Sequence, residues 1–180
     1  SQDTGKGNNA LNFVANISAD STRPGSGAVN YLGSYRFEIK YIEPKGVKAG
    51  AQQPSALMAM NRAVAAIADL KTPYDLDKKA ERTTYTVGVG ECTKAPEGGR
   101  SEECTLMVDM RSPTPEPLLA IRSKIEPKFQ EAMDAENAKF GLKKGDPKAV
   151  KMELVWFGDR PAHRRTNYDD PVVQIHWQAA

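Results

Sequence analysis

Between Tyr35 and Tyr41 the side chains alternate, Tyr35, Phe37, Ile39 and Tyr41 on one side and Arg36, Glu38 and Lys40 on the other, which is the period of a half-buried β-strand. The way this alternation gives way to helical spacing and then returns constrains the fold more than any other feature of the chain. Pro44 and Gly46 end the strand, and Leu57, Met60, Val64, Ile67 and Leu70 then share one face of a helix predicted from about Ser55 to Lys71. Thr83–Val89 alternates through Tyr85, Val87 and Val89, and Thr105–Arg111 through Leu106, Val108 and Met110, so two strands flank a Gly- and Pro-rich loop as a hairpin. Past Pro113 and Pro115, helical spacing resumes with Leu118, Ile121, Ile125, Phe129 and Met133, up to Gly141, which sits where a C-cap glycine belongs. Pro127 is expected to kink this helix or split it in two. Val150, Met152, Leu154 and Trp156 then line one side of a last strand, closed by Gly158 and Pro161.

The order β-α-β-β-α-β predicts an α+β, ferredoxin-like domain: a four-stranded antiparallel sheet with both helices on one face. Right-handed crossovers place the strands 4-1-3-2, leaving the second and fourth at the edges. The domain spans 33–160. Before it, 1–32 reads as a leading segment with a short strand, around Leu11, Phe13, Val14 and Ile17, and a loop. After it, 161–180 reads as a polar exit segment. Many functions share this fold, so the fold alone names none.

Composition narrows the partners. The formal net charge of +2 comes from 25 basic and 23 acidic residues interspersed along the chain, so no basic stripe points to nucleic acid or an anionic membrane. No apolar run approaches the about 20 residues that span a bilayer. The start at Ser1, without an initiator methionine, is expected to be a cut within a longer chain.

Cys92 and Cys104 bound the hairpin loop, a placement that suits a cross-strand disulfide. Such a bridge would contribute about 3 kcal/mol by loop entropy and would imply an oxidising compartment, periplasmic or secreted. Two free thiols, as in a cytoplasmic protein, are the alternative. The search for other chemistry finds little. A zinc site needs three or four converging ligands, but the only histidines, His163 and His176, are far apart in a polar stretch. The cysteines lack C-x-x-C spacing, and no Ser or Cys sits in an elbow motif. Gly88, Gly90, Gly98 and Gly99 do not lie between a strand and a helix, so they cradle no phosphate and read as a strand irregularity and a turn. The acidic pairs Asp75/Asp77, Glu102/Glu103 and Asp169/Asp170 read as solvated surface.

Several segments resemble the lid domain of the di-zinc exopeptidases, the family of peptidase T, carboxypeptidase G, aminoacylase and succinyl-diaminopimelate desuccinylase. Gly33-Ser34-Tyr35-Arg36-Phe37-Glu38-Ile39 resembles the family's G-S-x-R-Y-x-V strand, and Pro54-Ser55-Ala56 with Asn61–Leu70 resembles its first helix. Thr83–Val89 is similar to T-T-x-x-V-G-x-I, and Val108-Asp109-Met110-Arg111-Ser112 to its D-x-R-S strand end. Gly158-Asp159-Arg160-Pro161-Ala162 is similar to a phrase of the peptidase T-like branch. Each is weak alone, but together they follow the family's order across 33–162.

The resemblance implies a dimerisation and substrate-positioning lid, inserted in a catalytic domain that holds two zinc ions and the general-base glutamate. This chain shows no metal-ligand segment and is expected to be inactive alone, with no cofactor of its own. Its partners would be its own catalytic domain and a second copy, paired through the edge strand and first helix: Thr84, Tyr85, Thr86, Val87, Val89, Met58, Asn61 and Arg62. The run Thr83–Val89, with neither charge nor proline, independently reads as an unprotected edge, unless 1–32 covers it. The resemblance makes Arg111 the family's substrate-carboxylate residue, with a structural salt bridge to Asp109 or a neighbour as the alternative. Two departures stand out. Val47 occupies the position of the lid histidine of G-P-G-G-H-S, and valine cannot donate a hydrogen bond to an oxyanion. The asparagine of S-V-N-x-I-P has no counterpart between Cys92 and Cys104. A reading from another class is a free-standing ferredoxin-like domain that binds a small molecule or peptide.

Overall fold

The computed structural model describes residues 32–45, 52–79, 81–94 and 99–162, together with 169, 171 and 174. The chain divides into two compact units, 30–164 and the two chain ends together, and the architecture below is that of the first. The leading segment, Val47 and most of the exit segment, including both histidines, lie outside the described residues.

Four strands, β1 (Gly33–Ile42), β2 (Thr84–Cys92), β3 (Glu103–Ser112) and β4 (Lys151–Arg160), form one sheet in the order β2-β3-β1-β4. All neighbours are antiparallel, and this is the order that right-handed crossovers demand. Helices α1 (Ala56–Ala68) and α3 (Pro115–Ala138) pack on one face, α1 over β1 to β3 and α3 over β1, β3 and β4. The alternation decides which face is covered. Phe37, Ile39, Tyr41, Leu106, Val108 and Met110 are buried, and burying each such side chain contributes about 1.5–3 kcal/mol. Their neighbours Arg36, Glu38 and Lys40 lie on the opposite face.

The first helix keeps most of its expected face, with Met60 and Ile67 buried and Val64 and Leu70 packed against the core, but Leu57 is 43% exposed and Ala56, Ala59 and Ala63 are buried beside that face. Small side chains let the α1 backbone approach the sheet, and the stripe turns toward them. In α3 the expected face holds: Leu118, Ile121, Ile125, Phe129 and Met133 are all buried.

Pro127 does not split α3, which runs unbroken through it. A proline inside a helix costs about 3 kcal/mol, but the buried Ile125 and Phe129 on either side anchor the helix to the sheet and offset that loss. The helix ends as Gly141 predicts. Gly141 has φ +69, its N–H donates to Ala138 O (3.0 Å), and Leu142 N–H donates to Asn137 O (3.2 Å), the bonding of a Schellman cap.

One element is absent from the spacing argument. A single turn, α2 (Pro73–Leu76), sits between α1 and β2, closed by a reciprocal capping box of Thr72 and Asp75 with Pro73 in the first turn. Its backbone and side-chain hydrogen bonds to Thr72 hold the Asp75 carboxyl below its ordinary pKa.

Candidate functional site: the uncovered sheet face and the β2 edge

The strand register arranges the uncovered face in rows. Thr84, Arg111 and Ser34 stand side by side, and Thr86, Asp109, Arg36 and Gly158 form the next row on that face. Arg36 and Arg111 converge on one carboxylate oxygen: Asp109 Oδ2 accepts from Arg36 Nε (3.3 Å) and from Arg111 Nε (3.2 Å) and Nη2 (2.8 Å). The structure therefore brings Arg111 to Asp109, the salt-bridge partner its spacing allows. Hydrogen bonding to Asp109, then its charge, raises the Arg111 pKa. Both arginines stay substantially exposed, at 41% and 45% of their side chains. Asp109 Oδ1 is buried without a hydrogen-bond partner.

Further along the same face the balance of charge reverses. Lys40 lies between Glu38 (3.4 Å) and Glu103 (3.5 Å), and its row carries Glu91 and Glu153. The hydrogen bond to Glu38 and the charge of Glu103 raise the Lys40 pKa. The uncovered face is thus basic at the end where β1 begins and acidic at the other.

Both sheet edges are open among the described residues, but they are built differently. β4 carries Lys151, Glu153, Asp159 and Arg160, and a bulge at Phe157, between the pairs Arg36–Gly158 and Phe37–Trp156, twists it. Charge and bulges are how native edges resist pairing. Gly158 has a local reason here: a Cβ would come within 3.0 Å of Arg36 Cβ. β2 has a bulge at Gly88, the expected irregularity, but its only charge is Glu91. Thr86, Val87 and Val89 are exposed along it. Tyr85 points under the sheet edge instead, its hydroxyl donating to the carbonyls of Ile67 and Leu70.

Met58 and Asn61 lie exposed on α1. Arg62 is engaged within the domain, with Nε donating to Glu136 Oε2 at 2.9 Å. Cys92 and Cys104 are register partners on the last rung between β2 and β3 and are joined by a disulfide, the ladder running on past the expected strand ends to reach them.

Sequence reasoning missed the residues that hold the start of α1. Ser55 gives no side-chain cap; instead Glu43 Oε1 accepts from Ala56 N (2.8 Å) and Glu136 Oε1 from Ser55 N (3.4 Å). Arg100 pairs with Glu43 at 3.1 Å and donates to Pro54 O at 2.8 Å, tying the hairpin loop to the same point. These partners are distant in sequence, and no local motif announces them.

Among the described residues no group of His, Cys, Asp or Glu could hold a metal ion, and no helix is long and apolar enough to cross a membrane.

No protein-family model and no curated protein sequence matches the chain. Solved structures do. A hydantoinase/carbamoylase family amidase from Burkholderia ambifaria superposes with a TM-score of 0.54 at 14% identity, over 74% of this chain and 30% of its own. An aminobenzoyl-glutamate utilization protein from Klebsiella pneumoniae gives 0.54 at 15%, over 75% and 30%. A tripeptidase from Staphylococcus aureus gives 0.53 at 21%, over 87% and 36%. At such identities the likeness is one of fold. This chain spans about a third of the length of these amidases and peptidases.

Proposed function

We propose that this chain is the dimerisation and substrate-positioning lid domain of a zinc-dependent exopeptidase or amidohydrolase, and is not catalytic by itself. The observation that carries this reading is the match of the fold to about a third of several longer amidases and peptidases. The ordered motifs from Gly33 to Ala162 support it independently, and so does the sparsely charged β2 edge. In this reading β2 and α1 meet a second copy through Thr84, Thr86, Val87, Val89, Met58 and Asn61, with Tyr85 and Arg62 bracing them from within. Arg111 faces the substrate's carboxylate from the basic end of the uncovered face, and two zinc ions belong to the catalytic domain. The amidase and tripeptidase neighbours superpose equally well, so the peptidase T-like branch rests on the phrase Gly158–Ala162 alone. The disulfide favours a periplasmic or secreted parent.

The test is the uninterrupted gene product, assayed for bound zinc and for hydrolysis of dipeptides and N-acyl amino acids beside this 180-residue chain. Chelator-sensitive turnover by the longer protein and none by this chain is the expected result. A longer product without zinc and without amide hydrolysis, or stoichiometric zinc and turnover in this chain alone, would overturn the reading.

A further inference from the structure

The three side chains at the basic end of the uncovered face do unequal work. Arg111 spends two donors, on Nε and Nη2, on Asp109 Oδ2, and Arg36 spends only Nε on the same oxygen. An arginine has five N–H donors. Among the described residues neither guanidinium makes another hydrogen bond, so several donors on each remain for a ligand. Two cations against one carboxylate leave a net charge of about +1 on an exposed surface. The same row carries Thr86, exposed beside Asp109, while the Arg36 stem fills the space over Gly158.

We infer that Arg36 and Asp109 form an exchange pair for Arg111: Asp109 holds Arg111 when no ligand is present, and Arg36 keeps Asp109 partnered when Arg111 turns to an incoming carboxylate. Without Arg36, the turn would strand a charged, partly buried carboxylate, a cost that would keep Arg111 in place. With Arg36, Asp109 Oδ2 retains a charged donor throughout. Arg36 is thus a positioning residue, and Asp109 a competitor of the ligand. The choice of a carboxylate as ligand rests on the proposed lid-domain reading; the exchange itself rests on the geometry around Asp109 Oδ2.

The pair carries opposite signs. Asp109→Asn removes the competing negative charge and so raises the net charge of the surroundings by one, and carboxylates bind more tightly. Arg36→Gln leaves Arg111 as the sole charged partner of Asp109 and removes a positive charge, so they bind more weakly. A purely structural brace would loosen the same rung in either variant and shift both the same way.

The experiment follows the arginine Nε–H resonances of the whole chain by NMR at fixed ionic strength, with N-acetylglycine as probe and its uncharged amide, N-acetylglycinamide, as control. A saturable shift at Arg111 with the first and none with the second is expected. The Kd should fall in Asp109→Asn and rise in Arg36→Gln, each about two- to fivefold, the span of an exposed charge–charge contribution. Arg36→Lys, which keeps the charge, should recover most of the loss, and it carries the test with Arg36→Gln if the Asn variant does not fold. No saturable shift at Arg111, a folded Asp109→Asn that binds no more tightly, or an Arg36→Gln with unchanged Kd would each overturn the inference. Sedimentation of the same samples separates the two levels. A dimer without carboxylate binding removes the exchange pair and leaves the dimerisation module, whereas binding by a strict monomer keeps the exchange pair and removes the module.

Discussion

The carboxylate of Glu43, one residue past the end of β1, accepts a hydrogen bond from the backbone N–H of Ala56, the first residue of α1, at 2.8 Å. A helix N-terminus has unpaired N–H groups and a partial positive charge, and a serine cap normally answers both. Here a buried glutamate does so from thirteen residues earlier, with Glu136 of α3 reaching the neighbouring Ser55 N–H. The entry to α1 is thereby tied to both the sheet and the other helix.

Arg100 makes that arrangement affordable, because Glu43 has only 2% of its side chain exposed. Arg100→Leu should leave a buried carboxylate without its cation and destabilise the fold by about 3 kcal/mol, the low end for breaking a buried pair. Glu43→Gln keeps an acceptor for Ala56 and should cost less. Urea unfolding of both variants decides it, and an Arg100→Leu midpoint equal to wild type would remove the role assigned to this pair.

The disulfide closes the hairpin at its neck, between residues twelve apart in sequence. Its loss should lower stability by about 3 kcal/mol if the constraint acts mainly on the unfolded chain. Thermal unfolding with and without reductant, read beside alkylation and intact mass, measures this. Two cysteines alkylated in the unreduced, natively expressed protein would show that the bridge is not formed there.

How much of this was legible in the sequence depends on the range of the interaction. The alternation in β1 and β3, the buried face of α3 and the cap at Gly141 are set within a few residues, and each stands where the pattern put it. Leu57 misled, because periodicity reports a stripe but not how closely alanines let a helix approach. Of the two outcomes expected at Pro127, the split did not occur, because a local penalty was outweighed by Ile125 and Phe129 packing against distant strands. The short α2 had its signal in Thr72, Pro73 and Asp75, but four residues carry no periodicity. At the candidate site, Arg111 and its link to Asp109 follow from neighbours two apart on one strand face. The part played by Arg36, 73 residues away from Asp109, emerges only from the β1–β3 register.

Tyr41 sets a pH limit. Its ring is fully buried and its hydroxyl donates to Phe129 O at 3.1 Å, and burial pushes its pKa far above the ordinary value. The unfolded chain releases this proton near pH of about 10 while the folded chain retains it. The folded state therefore binds more protons above that pH, and stability present below it is lost as pH rises. Tyr41→Phe should flatten this loss while costing about 1 kcal/mol at neutral pH for the missing hydrogen bond. Denaturant midpoints across that range check it; parallel curves for the two proteins would assign the alkaline loss to other groups.

Self-association is the prediction on which the proposed function most depends. β2 is the edge with little charge, and between Thr84 and Val87 it has neither charge nor proline to repel another strand. Its position is fixed from behind by the Tyr85 hydroxyl at one end and by the disulfide at the other. An edge that no described strand pairs with invites a second copy across a two-fold axis, giving a continuous eight-stranded sheet. The bulge at Gly88 divides the strand, so pairing should concentrate on the Thr84–Val87 run, with Met58 and Asn61 of α1 near the periphery of the contact. Proline removes a backbone donor, and only one of two successive residues points its N–H outward. Val87→Pro and Thr86→Pro therefore test the two alternatives, and one of them should weaken the dimer in sedimentation while the other disturbs the β2–β3 ladder. A monomer at the highest soluble concentration, or a dimer that persists in both variants while both stay folded, would place the contact elsewhere or remove it.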